Sequence, residues 1–265
     1  MDRLGEGFGG PTLATSTARK LETMPAPNRW LSQKQIPRHE RLIFALDTTD
    51  IEEAKRLVNE LDDYVHFYKI GLELFVAGGY FELLDWLTER KKKSFVDLKF
   101  FDVPQTVASA VRQLRGKNAN FVTVHGNDEI IRAAAAEKNG VKILAVTVLT
   151  SMNESDIKEF GYKDISVQDL VLSRARRSLD AGADGVISSG LEAPQLREEL
   201  GERFLIVVPG IRPVANVDDQ KRTVDVEKAF ENGADYIVVG RPIKNAKDRK
   251  AAAADIQQRI YRLFT

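Results

Sequence analysis

A short apolar stretch in the first half of the chain, VDLKFFDVPQT at residues 96–106, carries charges of both signs. Asp97 and Lys99 are two positions apart, and a β-strand turns residues i and i+2 to the same face. Asp102 follows where that strand would end. We therefore predict that three charges meet at one strand tip. Strongly coupled charges in a cleft mark functional sites more often than chance, although a structural ion-pair network would use the same residue types.

Two further motifs, VVPGIRP at 207–213 and IVVGRPI at 237–243, each continue an apolar run with glycine and arginine. Glycine lets backbone N–H groups approach an anion closely, and arginine adds a bidentate donor. Gly210, Gly240 and Arg241 together predict a binding site for a phosphate monoester. The alternative is that the glycines only form tight turns and that the arginine only covers the surface.

Hydroxyl groups follow another apolar run, in TVLTSM at 147–152. Thr150 and Ser151 would there contact the polar edge of a bound ring. The same residues could instead cap the next helix, because serine and threonine are frequent N-cap residues. The sequence around them does not decide between these two roles.

Eight short apolar or β-branched runs alternate with segments whose apolar residues recur every three or four positions. Residues 51–61 and 167–182 are examples of these helical segments. Eight strand–helix units in about 225 residues predict a (β/α)8 TIM barrel rather than an open doubly wound sheet. The predicted strands are 41–47, 64–70, 94–100, 120–125, 141–149, 184–188, 204–209 and 235–240.

A TIM barrel carries its functional groups at the C-terminal ends of its strands. In this chain most residues at those positions are polar, and the barrel would bring them to one mouth. They are Asp47, Lys69, Asp97, Lys99, Asp102, Thr150, Ser151, Gly240, Arg241 and the run from Pro209 to Arg212.

The composition excludes several classes of protein. Thirty-nine basic residues balance 39 acidic ones, so no overall field attracts nucleic acid or an anionic membrane, and we expect neither partner. The absence of cysteine excludes disulfides, thiolate metal sites and a cysteine nucleophile. No apolar run approaches the roughly 18 residues that a transmembrane helix needs. We expect a soluble, cytoplasmic protein.

The start of the chain differs in composition from the rest. Residues 1–38 are rich in Gly, Pro, Ser and Thr and lack apolar periodicity, so we predict a flexible N-terminal extension. Residues 39–265 would form the barrel as a single catalytic domain. Acidic residues and the lack of an apolar core argue against a targeting peptide in the extension.

Seven motifs, in chain order, resemble those of the orotidine 5'-phosphate decarboxylase family. That family is a (β/α)8 barrel that removes CO2 from orotidine 5'-phosphate to give UMP, the last step of de novo pyrimidine nucleotide synthesis. It uses no metal and no cofactor, so the resemblance implies this reaction without either. The motifs are ALD at 45–47, KIGLELF at 69–75, DLKFFDVPQT at 97–106, TVLTSM at 147–152, PGIRP at 209–213, DDQKR at 218–222 and VGRPI at 239–243.

The resemblance also implies a role for each site residue. Lys99 would donate a proton to C6 of the pyrimidine, and Asp97 would lie beside the departing carboxylate. Lys69 and Asp102 would complete an alternating charge network. The substrate would be bound by Asp47 and Lys69 at the ribose, Thr150 and Ser151 at the pyrimidine, Pro209 and Arg212 at the mouth, Gln220 on the loop after the seventh strand, and Gly240 with Arg241 at the phosphate.

A homodimer is a further implication of the resemblance, with Asp102 and Thr106 reaching the neighbouring subunit's site. Phe101 and Gln105 depart from the residues usual in bacterial members, and we expect them to change packing or dimer contacts.

Two alternative functions remain open. One is a Mg2+-dependent sugar-phosphate synthase or decarboxylase of the same suprafamily, and the other is a non-catalytic barrel that binds nucleotide phosphates. Lys69 argues against the first, because that branch carries an acidic residue near this point. Lys99 beside two aspartates argues against the second, because a binding protein would not need it.

Overall fold

The computed structural model describes residues 29–212 and 223–264. Its eight strands are parallel and close into a barrel in chain order, because each pairs with the next and the last pairs with the first. This arrangement confirms the predicted (β/α)8 barrel. The strands are β1 Leu42–Ala45, β2 Phe67–Ile70, β3 Lys93–Phe100, β4 Ala119–Val124, β5 Lys142–Val146, β6 Gly185–Ile187, β7 Leu205–Val208 and β8 Tyr236–Val239.

Helices connect successive strands, and a 3-10 turn at Arg38–Glu40 precedes β1. The predicted helices over 51–61 and 167–182 are confirmed, with ends one or two residues earlier. Among the described helices, none combines the length and the apolar character needed to cross a bilayer. The helices are α1 Ile51–Glu60, α2 Leu72–Ala77, α3 Tyr80–Glu89, α4 Pro104–Gln113, α5 Asp128–Ala136, α6 Glu154–Glu159, α7 Val167–Asp180, α8 Ala193–Leu200, α9 Val226–Glu231, α10 Arg241–Lys244 and α11 Arg249–Leu263.

The strands bury both of their faces, as their near-continuous apolar sequences predict. Leu42 and Phe44 belong to the large core cluster that includes the buried helix residues, whereas Ile43 and Ala45 belong to a separate cluster inside the barrel. The two clusters follow the period of two that a strand imposes. The inner cluster consists of Ile43, Ala45, Phe67, Phe95, Phe121, Leu144, Leu205, Val207, Tyr236 and Val238.

This alternation determines where the polar groups of two strands point. Lys69 follows the inward-facing Phe67 by two residues, and Asp97 follows the inward-facing Phe95 by two. Both polar side chains therefore continue the inward rows at the C-terminal end of the barrel.

The fifth strand is shorter than its apolar sequence predicts. It ends at Val146 rather than at residue 149, and Thr147 begins a loop. The hydroxyl of Thr147 donates to the backbone carbonyl of Ile187 at 2.8 Å. A run of apolar residues does not reveal this end, because Val148 is also buried although it lies outside the strand.

Residues 29–38, here called the N-terminal segment, contact the N-terminal face of the barrel. Ile36 packs against the inner core cluster. The hydroxyl of Ser32 donates to Asp235 Oδ1 at 2.5 Å, and Lys34 Nζ lies 3.0 Å from the same oxygen. The sequence assigned this segment to a flexible extension, but its described part is bound to the barrel. Residues 1–28 of that extension lie outside the described residues.

Candidate active site

Four charged side chains of alternating sign form a chain across the C-terminal mouth of the barrel. Lys99 Nζ lies 2.9 Å from Asp97 Oδ1. Lys69 Nζ lies 3.4 Å from Asp97 Oδ2 and 3.2 Å from Asp47 Oδ1. The tips of β1, β2 and β3 thus bring together residues that are up to 52 positions apart, and the order is Asp47, Lys69, Asp97, Lys99.

Asp97 and Lys99 meet through an irregularity in β3 rather than through a regular strand. Val96 pairs with Val122 and Phe100 pairs with Val124, so three residues of β3 lie opposite one residue of β4, which is Thr123. Lys99 has a φ of 47°, in the left-handed region that side chains other than glycine rarely adopt. The predicted proximity is correct, but the strand period alone does not produce it.

Lys69 and Asp97, the central pair of the four charges, are held in their charged forms. Burial acts to lower the pKa of Lys69, but Asp97 and Asp47 together raise it above its usual value. Burial likewise acts to raise the pKa of Asp97, but Lys69 and Lys99, together with the hydroxyl of Thr123, lower it. Both residues therefore stay ionised at neutral pH.

Within this row of four charges, the two outer side chains, Asp47 and Lys99, are more exposed than the two central ones. Lys69 and Asp97 are 13% and 12% exposed, whereas Lys99 is 36% exposed. Among Lys69, Asp97 and Lys99, the side chain of Lys99 is therefore the one that a bound molecule reaches most easily.

A cavity of about 230 Å³ lies beside these charges. Its walls are largely apolar, which lowers the local dielectric constant and strengthens the interactions of the charges at one side. The lining residues are Lys69, Phe95, Asp97, Lys99, Val146, Val148, Leu149, Thr150, Ser151, Ile187, Pro209 and Val238.

The structure excludes one of the two roles considered for the hydroxyls after β5. Helix α6 is capped by Asn153, whose Oδ1 accepts from the backbone N–H groups of Ser155 and Asp156. The helix-capping alternative for Thr150 and Ser151 is therefore wrong. Both residues line the cavity instead.

The C-terminal ends of β7 and β8 place the predicted phosphate residues at the same mouth. Gly240 approaches β1 closely, since a Cβ at this position would lie 3.3 Å from the Cβ of Ala45 and 4.0 Å from Asp47 Oδ2. Arg241 is exposed and begins α10 directly after Gly240. Gly210 follows β7 with a φ of 74°.

The other residues predicted after β7 differ in position. Pro209 lines the cavity. Arg212 is buried, its Nη1 donates to the carbonyl of Ile211 at 2.9 Å, and it is not among the described residues that line the cavity. Gln220 lies outside the described residues.

Asp102 and Thr106 do not join the charge network within one chain. Both are exposed near the start of α4, and Asp102 Oδ1 accepts from the backbone N–H of Val103 at 2.6 Å. Among the described residues, Asp102 forms no ion pair with Lys69 or Lys99. The single chain therefore assembles three of the four predicted network residues, together with Asp47.

Two residues at the site were not predicted from the sequence. Thr123 Oγ1 donates to Asp97 Oδ1 at 2.9 Å, and Lys244 Nζ donates to the backbone carbonyl of Asp47. Thr123 gives a weak signal, because in NFVTVH it is a polar residue two positions after Phe121, which belongs to the inner core cluster. Lys244 gives none, because a lysine on a short helix is usually only solvated.

No three His, Cys, Asp or Glu side chains of the described residues cluster closely enough to hold a metal ion. The nearest charged neighbours of Asp97 are instead two ammonium groups. Like-signed repulsion opposes binding of a cation at such a carboxylate.

Comparisons with known proteins agree with this geometry. The family model described as "Orotidine 5'-phosphate decarboxylase / HUMPS family" matches residues 40–256. The chain belongs to this family. Among curated relatives, the orotidine 5'-phosphate decarboxylase of Methylococcus capsulatus is 57% identical over 240 residues, which are 90% of this chain and 98% of the relative. That of Xanthomonas euvesicatoria is 52% identical over 225 residues, 84% of this chain and 92% of the relative.

Two solved structures are similar to this chain in fold. The crystal structure of orotidine 5'-phosphate decarboxylase from Lactobacillus acidophilus has a TM-score of 0.74 and 36% identity, and the match covers 83% of this chain and 99% of that one. An uncharacterized conserved protein from Geobacillus kaustophilus has a TM-score of 0.71 and 30% identity, with the same coverage.

Proposed function

We propose that this chain decarboxylates orotidine 5'-phosphate to UMP without a metal or a cofactor. The observation that carries the proposal is the position of Lys99 Nζ, 2.9 Å from the Asp97 carboxylate, which is only 12% exposed, and at the wall of a largely apolar cavity. Family membership supplies the substrate class. The proposal includes the cytoplasmic location expected from the composition.

The reaction requires stabilisation of a localised negative charge. The bond between C6 and the carboxylate breaks, its electron pair stays on C6, and CO2 leaves. This pair lies in the ring plane, where the π system cannot delocalise it, so the barrier falls only if a nearby group stabilises the charge as it develops. The ammonium of Lys99 would do this and then transfer a proton from Nζ to C6, which gives UMP. Water would afterwards return the proton to Lys99.

Asp97 and Lys69 would prepare Lys99 for this step. The Asp97 carboxylate, which stays ionised because its pKa is lowered, holds the Lys99 ammonium by a charge-assisted hydrogen bond. Lys69 neutralises the other oxygen of Asp97 and also contacts Asp47. A cation that is fixed before the reaction needs little reorganisation as the carbanion forms.

The remaining residues would bind the parts of the substrate that do not react. Thr150 and Ser151 line the cavity and would contact the pyrimidine, while Asp47 and Lys69 would bind the ribose hydroxyls. Gly240 and Arg241 would bind the phosphate at the rim. Binding energy from the phosphate accelerates the reaction only by ordering the site around the substrate.

The proposal is tested by adding orotidine 5'-phosphate to purified, EDTA-treated protein and following the loss of absorbance near the orotate band. We expect conversion to UMP at the same rate before and after EDTA treatment. No conversion in either sample would contradict the proposal. Activity on a sugar phosphate that appears only with Mg2+ would assign the chain to the Mg2+-dependent sugar-phosphate enzymes of the suprafamily. The ammonium of Lys69 beside Asp97 argues against that outcome.

We also propose that the active unit is a homodimer in which Asp102 and Thr106 complete the neighbouring site. Phe101 and Val103 flank Asp102 and are 68% and 62% exposed. Apolar side chains exposed to this degree beside a site indicate an interface. A second copy that covers them would also bring a carboxylate to the mouth.

Mixing two inactive variants tests this shared site. In an equimolar mixture of Lys99→Ala and Asp102→Ala subunits, half of the dimers are mixed, and one of the two sites in each mixed dimer is intact. We therefore expect about a quarter of the wild-type rate after the subunits exchange. A mixture no more active than its two components would show that each site uses only its own chain.

A further inference from the structure

The hydroxyl of Thr123 joins the two residues on which the proposed chemistry depends. It donates to Asp97 Oδ1 at 2.9 Å and accepts from the backbone N–H of Lys99 at 2.9 Å. Thr123 is fully buried, and its branched Cβ limits the side chain to few rotamers. One fixed oxygen atom thus contacts both the carboxylate and the main chain of the lysine.

Lys99 needs such a contact because its backbone conformation is unfavourable. A left-handed conformation costs about 1–2 kcal/mol for a residue with a side chain, and it persists only where the surrounding structure enforces it. Here three residues of β3 lie opposite Thr123 alone, so the regular ladder cannot position Lys99. The Thr123 hydroxyl provides an acceptor for the N–H group at this irregular point.

We propose that Thr123 is a positioning residue for proton transfer. Its hydroxyl fixes the left-handed turn at Lys99 and the rotamer of Asp97 together, which places the ammonium 2.9 Å from Asp97 Oδ1. This inference rests on the proposed decarboxylase function, and Thr123 itself is not expected to touch the substrate because it is not among the residues lining the cavity.

The competing explanation is that Thr123 only satisfies buried hydrogen bonds. Thr147 provides a matched control, because it is also fully buried and lies at the end of the next strand. Its hydroxyl donates to the backbone carbonyl of Ile187 and not to a charged group of the site. Thr→Val at either position removes one buried hydroxyl at nearly constant volume, and Thr123→Val should lose more stability because its hydroxyl has two partners, one of them charged.

The kinetic test compares Thr123→Val, Thr123→Ser and Thr147→Val. For Thr123→Val we expect kcat to fall about 10- to 100-fold with KM and the Kd of UMP within about threefold, because displacement of a catalytic group affects the reaction more than binding. Thr123→Ser should recover most of the lost kcat, and Thr147→Val should stay within about twofold of wild type. A normal kcat for Thr123→Val, or equal losses in the Val and Ser variants, would overturn the proposal.

A crystal structure of Thr123→Val tests the geometry independently of any activity. We expect Lys99 to leave the left-handed region or its ammonium to move away from Asp97. An unchanged Lys99 would refute the positioning role even if the enzyme decarboxylates orotidine 5'-phosphate, whereas a wild-type protein without activity would refute the proposed function alone. Should Thr123→Val fail to fold, Thr123→Ala allows the same measurements.

Discussion

Two carboxylates at opposite ends of the barrel, Asp97 and Asp235, are each surrounded by two cations and one hydroxyl. Asp97, near the C-terminal end of β3, contacts Lys69, Lys99 and Thr123. Asp235, just before β8, contacts Arg197 at 2.8 Å, Lys34 at 3.0 Å and Ser32 at 2.5 Å. The residue types are nearly the same, but the surroundings of the two groups differ.

The difference lies in how far the nearest cation of each carboxylate is closed to solvent, which is Arg197 for Asp235 and Lys99 for Asp97. Asp235 and Arg197 are 0% and 2% exposed, and Asp235 Oδ2 also accepts from the backbone N–H of Ile206. Lys99, by contrast, is 36% exposed and faces a cavity. A cation sealed on every side can only stabilise the fold, whereas one that is fixed by a carboxylate and open on one side can act on a ligand.

The two groups also differ in the number of carboxylates that each cation contacts. Lys34 shares Asp235 with Arg197, and burial lowers the pKa of Lys34 although Asp235 opposes the change. Burial acts in the same direction on Lys69, but two carboxylates, Asp97 and Asp47, raise its pKa. The two ends therefore shift the pKa of their lysines in opposite directions, up for Lys69 and down for Lys34.

Removal of Lys99, the partly exposed cation beside Asp97, should have the largest effect on activity. We expect Lys99→Ala to lower kcat/KM by at least about 10⁴-fold, because both charge stabilisation and proton donation are lost. The UMP affinity should remain measurable by calorimetry, and the stability should change little because Asp97 keeps Lys69 and Thr123. Lys55→Ala, at a half-buried lysine of α1 that pairs with Glu52, is the control with unchanged kcat/KM. Normal turnover by Lys99→Ala would contradict the mechanism.

Removal of Asp235, the fully buried carboxylate, should affect the free energy of unfolding rather than the activity. We expect Asp235→Asn to destabilise the fold by about 3–5 kcal/mol, because Arg197 then remains buried without a counterion. Urea unfolding at a fixed protein concentration measures this, with the exposed Asp63→Asn as the control. A stable Asp235→Asn protein, or a folded one with strongly reduced kcat, would remove the distinction between the two ends.

A smaller loss is expected from the N-terminal segment. Ser32→Ala should lower the free energy of unfolding by about 1.5 kcal/mol, because one hydrogen bond to a buried carboxylate is lost while Arg197 and Lys34 remain. The exposed Ser173→Ala on α7 should change it by less than about 0.5 kcal/mol. Equal unfolding midpoints for the two variants would show that the segment contributes nothing to stability.

The smallest effect concerns the pH dependence of stability. Burial acts to raise the pKa of Asp97, but Lys69 and Lys99 hold it below the value near 3.9 that an unfolded chain has. The resulting stabilisation is complete above about pH 4 and is lost as the pH falls through the folded-state pKa. We expect the stability difference between wild type and Asp97→Asn to shrink on acidification below pH 4. A constant difference would show that the folded state does not lower this pKa.

The sequence predicts the barrel and its charged mouth, because both depend on short-range patterns. Alternation of apolar runs gives the strands, and the i, i+2 rule places Lys69 and Asp97 on the inward rows. The left-handed turn at Lys99 was not predictable, because it depends on the register of β3 against β4 and on Thr123, 24 residues away.

The N-terminal segment shows the same limit at longer range. Its composition resembles that of a linker, yet Ser32 and Ile36 have partners on the barrel. The partner of Ser32 is 203 residues further along the chain, and no local pattern indicates it. Asp102 is a different case, because its predicted role requires a second copy of the chain.

The contact between Ser32 and Asp235 can form only late in translation, because the two residues are 203 positions apart. Ribosomes add roughly 5–20 residues per second, so Asp235 is made about 10–40 s after its partner. Throughout that interval β1 lacks β8, and its unpaired edge is open to association with other chains. A chain stalled before residue 235 can form neither contact. If the N-terminal segment of a chain has bound Asp235, the synthesis of that chain has therefore reached the last strand.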